Sequence, residues 1–462
     1  MALIKSISGI RGTIGGNPGD NLTPIEVVKF TASFITFLKA KSGKDRLLIV
    51  LGRDARVSGK MLNELVVATA NSLSADIIDV GLSTTPTVEI AVKRLKADGG
   101  IILTASHNPA EWNALKLLNN KGEFISANEG NALLKIAEKE DFNFSGIASL
   151  GTYVYDDTFI DKHIEMIVDL PLVDINLIKE VNFKVAIDCV NSTGGIALPQ
   201  LLKRLGVNQI EKLNCEPTGI FTHNPEPLPE NLTEISARVV ASACDLGFVV
   251  DPDVDRLAII SEDGNMFGEE FTLVTVADYI LQHQTGNTVS NLSSTKALKD
   301  LTESYGGQYF ASAVGEVNVV EMMKAQNAII GGEGNGGIIY PELHYGRDAL
   351  VGIALFLTYL AKTKLKCSAL RAKYPSYYIS KNKITLPKGI DVDQILKAVQ
   401  EIYKHEDLIT IDGVKINFTN EWVHLRKSNT EPIIRIYAES DTKELADLLA
   451  SRIISEIQNL IQ

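Results

Sequence analysis

Residues 246–264 read LGFVVDPDVDRLAIISEDG. Leu246 to Val250 is a short apolar run that ends at three carboxylates, Asp251, Asp253 and Asp255, with Pro252 among them. A second apolar run, Leu257 to Ile260, follows and closes on Asp263-Gly264, a hairpin-type turn. In open α/β sheets ligands collect beyond the carboxyl ends of the strands. Three carboxylates at i, i+2 and i+4 in a tight proline-bearing loop can converge there on one hard cation. Oxygen-only ligands suit Mg²⁺ better than a softer metal. The alternative is a solvated acidic loop. An EF-hand is excluded, because it needs a twelve-residue loop with Gly at the sixth place and Glu at the twelfth.

The same alternation of short apolar runs and amphipathic stretches extends to both sides. Leu47–Leu51, Asp76–Val80 and Gly99–Leu103 read as strands, with a helix over Ser58–Leu73. Lys184–Ile187 reads as a strand, Asn191–Gly195 as a turn and Leu198–Leu205 as a helix, and a third unit runs from about Phe271 through Thr288 to Tyr309. This pattern predicts parallel α/β construction. From about Lys381 the order becomes strand, helix, strand, strand, loop, strand, helix, with Ile433–Tyr437 a strand and Lys443–Leu460 a long helix. That is an α+β module. The expected domains are residues 1–152, 153–255, 256–370 and 371–462, the last boundary lying near Cys367 to Tyr374.

With 462 residues, 45% hydrophobic and 22% charged, the composition is that of a globular chain able to build several cores. The net charge of −12 argues against nucleic acid or an anionic membrane as the main partner, since both favour a basic surface. Cys189, Cys215, Cys244 and Cys367 are scattered without a C-x-x-C pair, which suits neither a zinc site nor a disulfide framework. No apolar run suits a signal peptide, and none approaches the ~20 residues of a membrane span. The expectation is a soluble, cytoplasmic protein.

Three further loops carry chemistry. Ser106 lies in Thr104-Ala105-Ser106-His107-Asn108-Pro109, directly after an apolar run. It can be a nucleophile or phosphoryl carrier, or merely part of a capped turn; the G-x-S-x-G elbow of hydrolases is absent. Gly331-Gly332-Glu333-Gly334-Asn335-Gly336-Gly337 contains a formal G-x-G-x-x-G, but Ile338-Ile339-Tyr340-Pro341 reads as a strand and not as the helix that dinucleotide binding requires. A loop presenting Glu333 and Asn335 to hydroxyl groups fits better, the alternative being a tight turn without a ligand. Arg426-Lys427-Ser428-Asn429-Thr430-Glu431-Pro432, with Arg435 behind it, offers guanidinium and hydroxyl donors for a phosphate, or else is a solvated loop. Of the seven histidines only His107 lies in a motif; the others are expected at the surface or as satisfied core groups.

Taken together and in this order, the Ser106 loop, the triple-Asp loop, the Glu333 loop and the Ser-Asn-Thr-Glu-Pro loop resemble the α-D-phosphohexomutases, over essentially the whole chain. The resemblance implies three α/β domains with mixed sheets and a smaller C-terminal α+β domain around a central cleft. It implies that Ser106 carries a phosphoryl group and, with Asp251, Asp253 and Asp255, holds one Mg²⁺. Arg11, His107 and Lys116 match catalytic positions. Glu333 and Asn335 match sugar-reading positions, and Arg256, Arg426, Ser428, Asn429, Thr430 and Arg435 match substrate-binding ones. Many members have Ser-Gly-His where this chain has Asn335-Gly336-Gly337, and bacterial phosphoglucosamine mutases have Ser-Gly-Thr where it has Ser428-Asn429-Thr430. Both departures resemble archaeal-type members and bear on the sugar, not on the reaction class.

The implied activity is interconversion of hexose 6-phosphate and hexose 1-phosphate through phosphoserine and a hexose 1,6-bisphosphate, which also serves as activator. Glucosamine phosphate is the expected substrate, because Gly9-Ile10-Arg11-Gly12 and Val314-Gly315-Glu316 resemble the phosphoglucosamine mutase side. The alternative is phosphomannomutase or phosphoglucomutase. The expected partner is a small phosphosugar, with no nucleic acid and no membrane, and the chain is expected to be a monomer or homodimer.

Overall fold

The computed structural model describes residues 3–6, 9–387, 390–427 and 433–461. The chain divides into two compact units. One comprises Met1–Thr272 and Asn335–Ser368, the other Leu273–Gly334 and Ala369–Gln462.

The first unit opens with a seven-stranded sheet of β1 (Leu3–Ser6), β2 (Gly9–Thr13), β3 (Leu47–Arg53), β4 (Ala75–Leu82), β5 (Gly99–Leu103), β6 (Trp112–Leu118) and β7 (Tyr153–Tyr155), in the order β1-β2-β6-β5-β3-β4-β7. The centre is parallel, β4 and β5 flanking β3, and every residue of β5 is buried. Such double-faced burial is why these strands read as continuous apolar runs. The sequence offered no strand signal for β6, which runs antiparallel to both β5 and β2 and makes the sheet mixed. Helices cover both faces. Phe30, Phe34 and Leu38 of the helix Pro24–Ser42 and Leu62 and Val66 of the helix Gly59–Asn71 pack on one, Val88, Ala91 and Val92 of the helix Thr85–Leu95 on the other.

A second sheet in the same unit holds β8 (Lys184–Asp188), β9 (Gln209–Leu213), β10 (Leu246–Val250) and β11 (Leu257–Ser261) in the order β11-β10-β8-β9. β10 and β11 pair antiparallel along their full lengths, from Leu246↔Ser261 to Val250↔Leu257. Asp251–Arg256 is therefore the connection of a hairpin. Leu257–Ser261, which lies beyond the expected boundary at residue 255, continues the sheet of β8 to β10.

The second unit begins with β12 (Asn287–Asn291), β13 (Tyr309–Ser312) and β14 (Ala328–Glu333), β12 lying between the other two and parallel to both. The chain then re-enters the first unit through β15 (Gly337–Ile339) and the helix Ala349–Thr363. That helix is buried from Ala349 through Ala361, packs against the helices Phe159–Val168, Ile175–Val181 and Gly194–Arg204, and places Phe356 edge-on to Phe248 and Phe267. Its apolar residues on all sides mark a core helix. Among the described residues no helix is long and apolar enough to cross a membrane.

The rest of the second unit is an antiparallel sheet of β16 (Tyr378–Thr385), β17 (Asp407–Ile409), β18 (Val414–Asn417), β19 (Trp422–Lys427) and β20 (Ile433–Ser440), in the order β16-β20-β19-β18-β17. The helices Val392–Ile402 and Lys443–Ile461 bury one face through Ile395, Leu396, Val399, Leu449, Ile453 and Ile457. The α+β module is as expected, with one addition: the three-residue edge strand β17, too short to show a period.

Candidate active site

Ser106 sits just past β5 with φ +50°, a left-handed conformation uncommon for a residue with a Cβ. The buried side chain of Arg56 holds the loop in that shape. Its Nη2 donates to the carbonyls of Ser106 and Asn108, both at 2.6 Å, and its Nη1 to those of Pro109 and Trp112 at 2.7 and 2.9 Å. Its Nε donates to Asp54 Oδ2 at 3.1 Å, so every guanidinium N–H is used. Asp54 also accepts from Thr104 Oγ1 at 2.6 Å, and Thr104 Oγ1 accepts from the Ser106 amide at 2.9 Å. Neither Arg56 nor Asp54 was singled out by sequence reasoning. The available signal was Gly52-Arg53-Asp54-Ala55-Arg56 at the end of β3, the same strand-end position that drew attention to Ser106.

The Ser106 hydroxyl donates to Asp251 Oδ2 at 2.7 Å and lies 3.3 Å from His107 Nδ1. Asp251 Oδ1 accepts the amides of Asp255 and Arg256, both at 3.2 Å. Asp253 Oδ2 accepts from Lys116 Nζ at 2.7 Å and Thr85 Oγ1 at 2.6 Å. Asp255 Oδ2 accepts from Arg347 Nη2 at 2.6 Å, with Lys116 Nζ 3.6 Å away. All three aspartates are fully buried, and one carboxylate oxygen from each falls within 4.8 Å of the others. The second oxygens of Asp253 and Asp255 have no hydrogen-bond partner; Arg256 Nε, 3.9 Å from Asp255 Oδ1, is out of reach. Buried acceptors without donors are costly, and an all-oxygen set of this kind fits a Mg²⁺ ion.

The loop is fixed from several sides. Val254 has φ +62°, a strained conformation for a β-branched residue, and its carbonyl accepts the first amide of the helix Ala349–Thr363 at 3.2 Å. The Pro252 carbonyl accepts from Ser192 Oγ and Thr193 Oγ1 at 2.7 and 2.8 Å, and the Asp253 carbonyl from the Thr85 amide at 2.9 Å.

Charge is distributed unevenly over the site. Burial, then Asp255 and Asp253, push Asp251 well above the usual carboxylate range. Burial acts the same way on Asp253, but Lys116 overcomes it and holds that carboxyl well below the usual range. Burial alone would lower Lys116; Asp253 and Asp255 raise it instead, so it stays a cation. His107 is held well below its ordinary value by burial and by Arg256, Arg11 and Arg347, and is neutral at neutral pH. Arg11 reaches the loop by donating from Nη1 to Asn108 Oδ1 at 2.6 Å. β2, which carries it, lies close to β6 because residue 9 is glycine: a Cβ there would stand 2.2 Å from the Leu115 carbonyl oxygen.

Behind this loop lies a buried ion-pair group. His163 Nε2 and His344 Nε2 lie 2.9 and 3.4 Å from Asp348 Oδ2, His163 Nδ1 lies 2.9 Å from Thr87 Oγ1, and His344 Nδ1 lies 3.3 Å from Glu89 Oε2. Asp348 Oδ1 caps the helix Ala349–Thr363 by accepting from the amides of Leu350 and Val351. Both histidines are buried core groups; His163 has a partner at each ring nitrogen, whereas His344 Nδ1 meets Glu89 only as a charge neighbour and makes no hydrogen bond. Their neighbour Arg347, which sequence reasoning passed over, is the one that reaches Asp255.

In the first unit, then, Arg11, Ser106, His107, Lys116, Asp251, Asp253, Asp255 and Arg256 come together. Asn335, also in this unit, turns its Oδ1 to the Gly337 amide at 3.2 Å. The second unit holds the remaining expected residues. Glu333 Oε1 is buried and accepts from Asn291 Nδ2 at 2.9 Å and the Gly315 amide at 3.1 Å. Arg426 stands directly opposite Arg435 on β20, and Arg435 directly opposite Lys383 on β16, giving a row of three cations across the sheet. Asp412 Oδ2 offsets Arg426 at 3.1 Å, and among the described residues no carboxylate does the same for Arg435 or Lys383. Like charges facing each other across strands are destabilising unless an anion joins them. Ser428, Asn429 and Thr430 lie outside the described residues.

Four phosphoglucomutase/phosphomannomutase family descriptions match in order: alpha/beta/alpha domain I at residues 3–144, domain II at 161–264, domain III at 269–378 and the C-terminal domain at 383–456. A phosphoglucomutase/phosphomannomutase of Thermococcus kodakarensis is 35% identical over 94% of this chain and 95% of its own. A phosphoglucosamine/phosphogalactosamine mutase of Sulfurisphaera tokodaii is 33% identical over the full length of both. Among solved structures, a phosphoglucomutase/phosphomannomutase family protein of Burkholderia thailandensis superposes with a TM-score of 0.83 at 25% identity, covering 99% of this chain and 97% of its own. The chain belongs to the phosphoglucomutase/phosphomannomutase family and is a phosphohexomutase built of three α/β domains and a C-terminal α+β domain.

Proposed function

We propose that the chain interconverts glucosamine 6-phosphate and glucosamine 1-phosphate, with Ser106 carrying the phosphoryl group between the two positions. The observation that carries the reading is the Ser106 hydroxyl at 2.7 Å from Asp251, beside two buried carboxylate oxygens that lack partners. In the forward step a sugar hydroxyl oxygen bonds to the phosphorus of phosphoserine, the P–Oγ bond breaks, and a hexose 1,6-bisphosphate forms. The reverse step at the other end of the sugar returns a phosphoryl group to Ser106. Mg²⁺ held by Asp251, Asp253, Asp255 and the Ser106 phosphoryl group would offset charge on the group in transfer. Lys116 and Arg11 supply fixed positive charge there. His107, neutral and within reach of Oγ, takes or returns a proton at Nδ1. Arg56 touches none of the reacting atoms and acts as a positioning residue for the Ser106 loop.

On the sugar, several archaeal relatives bear the name probable phosphoglucosamine mutase, which supports glucosamine. The name of the Thermococcus kodakarensis relative supports the alternative, mannose or glucose phosphate. A protonated 2-amino group gains most from a carboxylate, and Glu333 is the carboxylate expected in the sugar-reading loop. The test is kcat/KM for glucosamine, mannose and glucose phosphates on one preparation, with phosphate release followed in parallel. Glucosamine should lead by at least tenfold, about 1.4 kcal/mol in transition-state binding. A lead for mannose would overturn the sugar assignment, and release of phosphate without isomerisation would overturn the mutase.

A further inference from the structure

Two of the four cysteines meet although their spacing gave no hint of it. Cys189 follows β8 and Cys215 follows β9, and these strands are parallel neighbours in register, Asp188 opposite Leu213. Their sulfur atoms stand 3.6 Å apart, both thiols being free. Cys189 is completely buried, whereas Cys215 is partly exposed. The two residues lie against the start of the helix Gly194–Arg204. A Cβ on Gly194 would stand 3.2 Å from Cys189 Cβ, and one on Gly195 would stand 1.9 Å from the Cys215 carbonyl oxygen. The positive end of a helix favours a thiolate beside it. Contact with Cys189 lowers the Cys215 thiol from its ordinary value, while burial raises Cys189 well above it. One thiol is thus partly exposed and the more acidic, and the other is sheltered beside it, an attacking and a resolving partner.

The turn after Cys189 also reaches the acidic loop. Ser192 N donates to the Cys189 carbonyl at 2.9 Å, and Val190 and Asn191 between them hold φ +46° and +54°. Ser192 Oγ and Thr193 Oγ1 both donate to the Pro252 carbonyl, and Ser192 Oγ accepts the amide of Ala55, next to Arg56. Bonding the two sulfurs requires them to close by about 1.5 Å, to the ~2.05 Å of a disulfide. The strained turn that supports Pro252 lies one residue away from that movement.

We propose that Cys189 and Cys215 form a reversible redox site which a peroxide closes into a disulfide, and that closure slows turnover by shifting the turn beneath Pro252. The Cys215 thiolate attacks one peroxide oxygen, the O–O bond breaks, and a sulfenic acid and, after protonation, one water form. The Cys189 sulfur then attacks the sulfenic sulfur, the S–O bond breaks, and a second water leaves with the thiol proton. Two thiols are oxidised by two electrons and one peroxide is reduced to two waters. A dithiol reductant reverses the closure by exchange. The formation of the bond does not depend on the mutase reading; only its effect on turnover does.

The experiment treats the full chain with increasing hydrogen peroxide, alkylates the remaining thiols and analyses digests by mass spectrometry. The expected result is a peptide pair joined at 189 and 215, about 2 Da lighter than its reduced parts, that is lost on adding dithiothreitol. Phosphohexomutase turnover should fall severalfold with the same peroxide dependence and recover with the reductant, whereas Cys215→Ser should keep its turnover under peroxide. Both thiols still alkylated after peroxide, direct passage to sulfinic acid, or linkage to Cys244 or Cys367 would overturn the site. A 189–215 disulfide with unchanged turnover would overturn its coupling to Pro252, and equal peroxide loss in Cys215→Ser would do the same.

Discussion

The acidic hairpin of the first unit and the cationic row of the second solve opposite problems. Around Asp251, Asp253 and Asp255 the three carboxylates, Lys116 and Arg347 are buried and most are already met: Lys116 and Thr85 face Asp253, Arg347 faces Asp255, and Ser106 faces Asp251. On the C-terminal sheet Lys383 and Arg435 are exposed, and of the three cations in the row Arg426 is the one with a carboxylate beside it among the described residues. A buried, pre-paired array suits the transfer of a group, since its dipoles need not reorganise when charge develops. An exposed row of like charges suits capture of an anion that supplies the missing countercharge. The two regions should therefore respond differently to mutation, the first in kcat and stability, the second in KM and salt dependence.

The sharpest way to break this contrast is Ser106→Ala. Turnover should fall by roughly a thousandfold or more while the protein stays folded, read by a coupled isomerase assay and circular dichroism. Near-normal turnover would remove phosphoserine chemistry from the hairpin. Asp253→Asn comes next. It leaves Lys116 buried without its closest anion, so stability should drop by about 3 kcal/mol in urea unfolding, and Mg²⁺ should no longer raise the Tm. Arg56→Lys keeps the charge but loses the five-donor fork. With the Ser106 loop displaced, kcat should fall on the order of a hundredfold with KM little changed. A change in KM alone would mean that Arg56 belongs to binding.

On the second unit, Arg426→Ala and Arg435→Ala should each raise KM about tenfold, ~1.4 kcal/mol, leave kcat nearly intact and flatten the salt dependence of kcat/KM. Lys383→Ala, at the end of the row, should change KM only about twofold. If stability rather than KM moved, the row would be structural. The smallest effect concerns pH. Burial lowers His344, but Asp348 and Glu89 outweigh it and raise it to about 9, above its unfolded value near 6.5. With His163 and Thr87 completing the group, this pairing contributes fully below about pH 6.5 and is lost as pH rises through about 9. The Tm of the wild type should fall more between pH 7.5 and 9.5 than that of His344→Gln, and identical falls would discount the pair.

What the sequence made legible follows one rule: it showed groups that lie together along the chain. The i, i+2, i+4 aspartates, Ser106 with His107, and the central strands β3, β5 and β10 all announce themselves within a few residues. Arg56 was hidden because its partners lie at residues 106–112, and Arg347 because its partner is Asp255. The Lys383–Arg435–Arg426 row exists only through strand register, and so does the meeting of Cys189 with Cys215. β6 was missed because Lys116 interrupts its apolar pattern, and Lys116 is buried there only because Asp253 and Asp255 meet it. A residue that breaks the local pattern, as Lys116 does, is held in place by partners far along the chain.

The path of the chain between the two units has a consequence for its synthesis. The first unit is not complete at Thr272, since β15 and the buried helix Ala349–Thr363 arrive only after 62 residues of the second unit, Leu273–Gly334, have been made. Until that helix emerges from the ribosome, Phe248 and Phe267 lack the ring of Phe356, and the Val254 carbonyl lacks the Ala349 amide. A nascent chain halted near residue 300 would thus carry an exposed apolar groove and an acidic loop short of one of its anchors, with Ser192, Thr193 and Thr85 still holding it. It would need shelter from chaperones at a stage when two sheets are already in place.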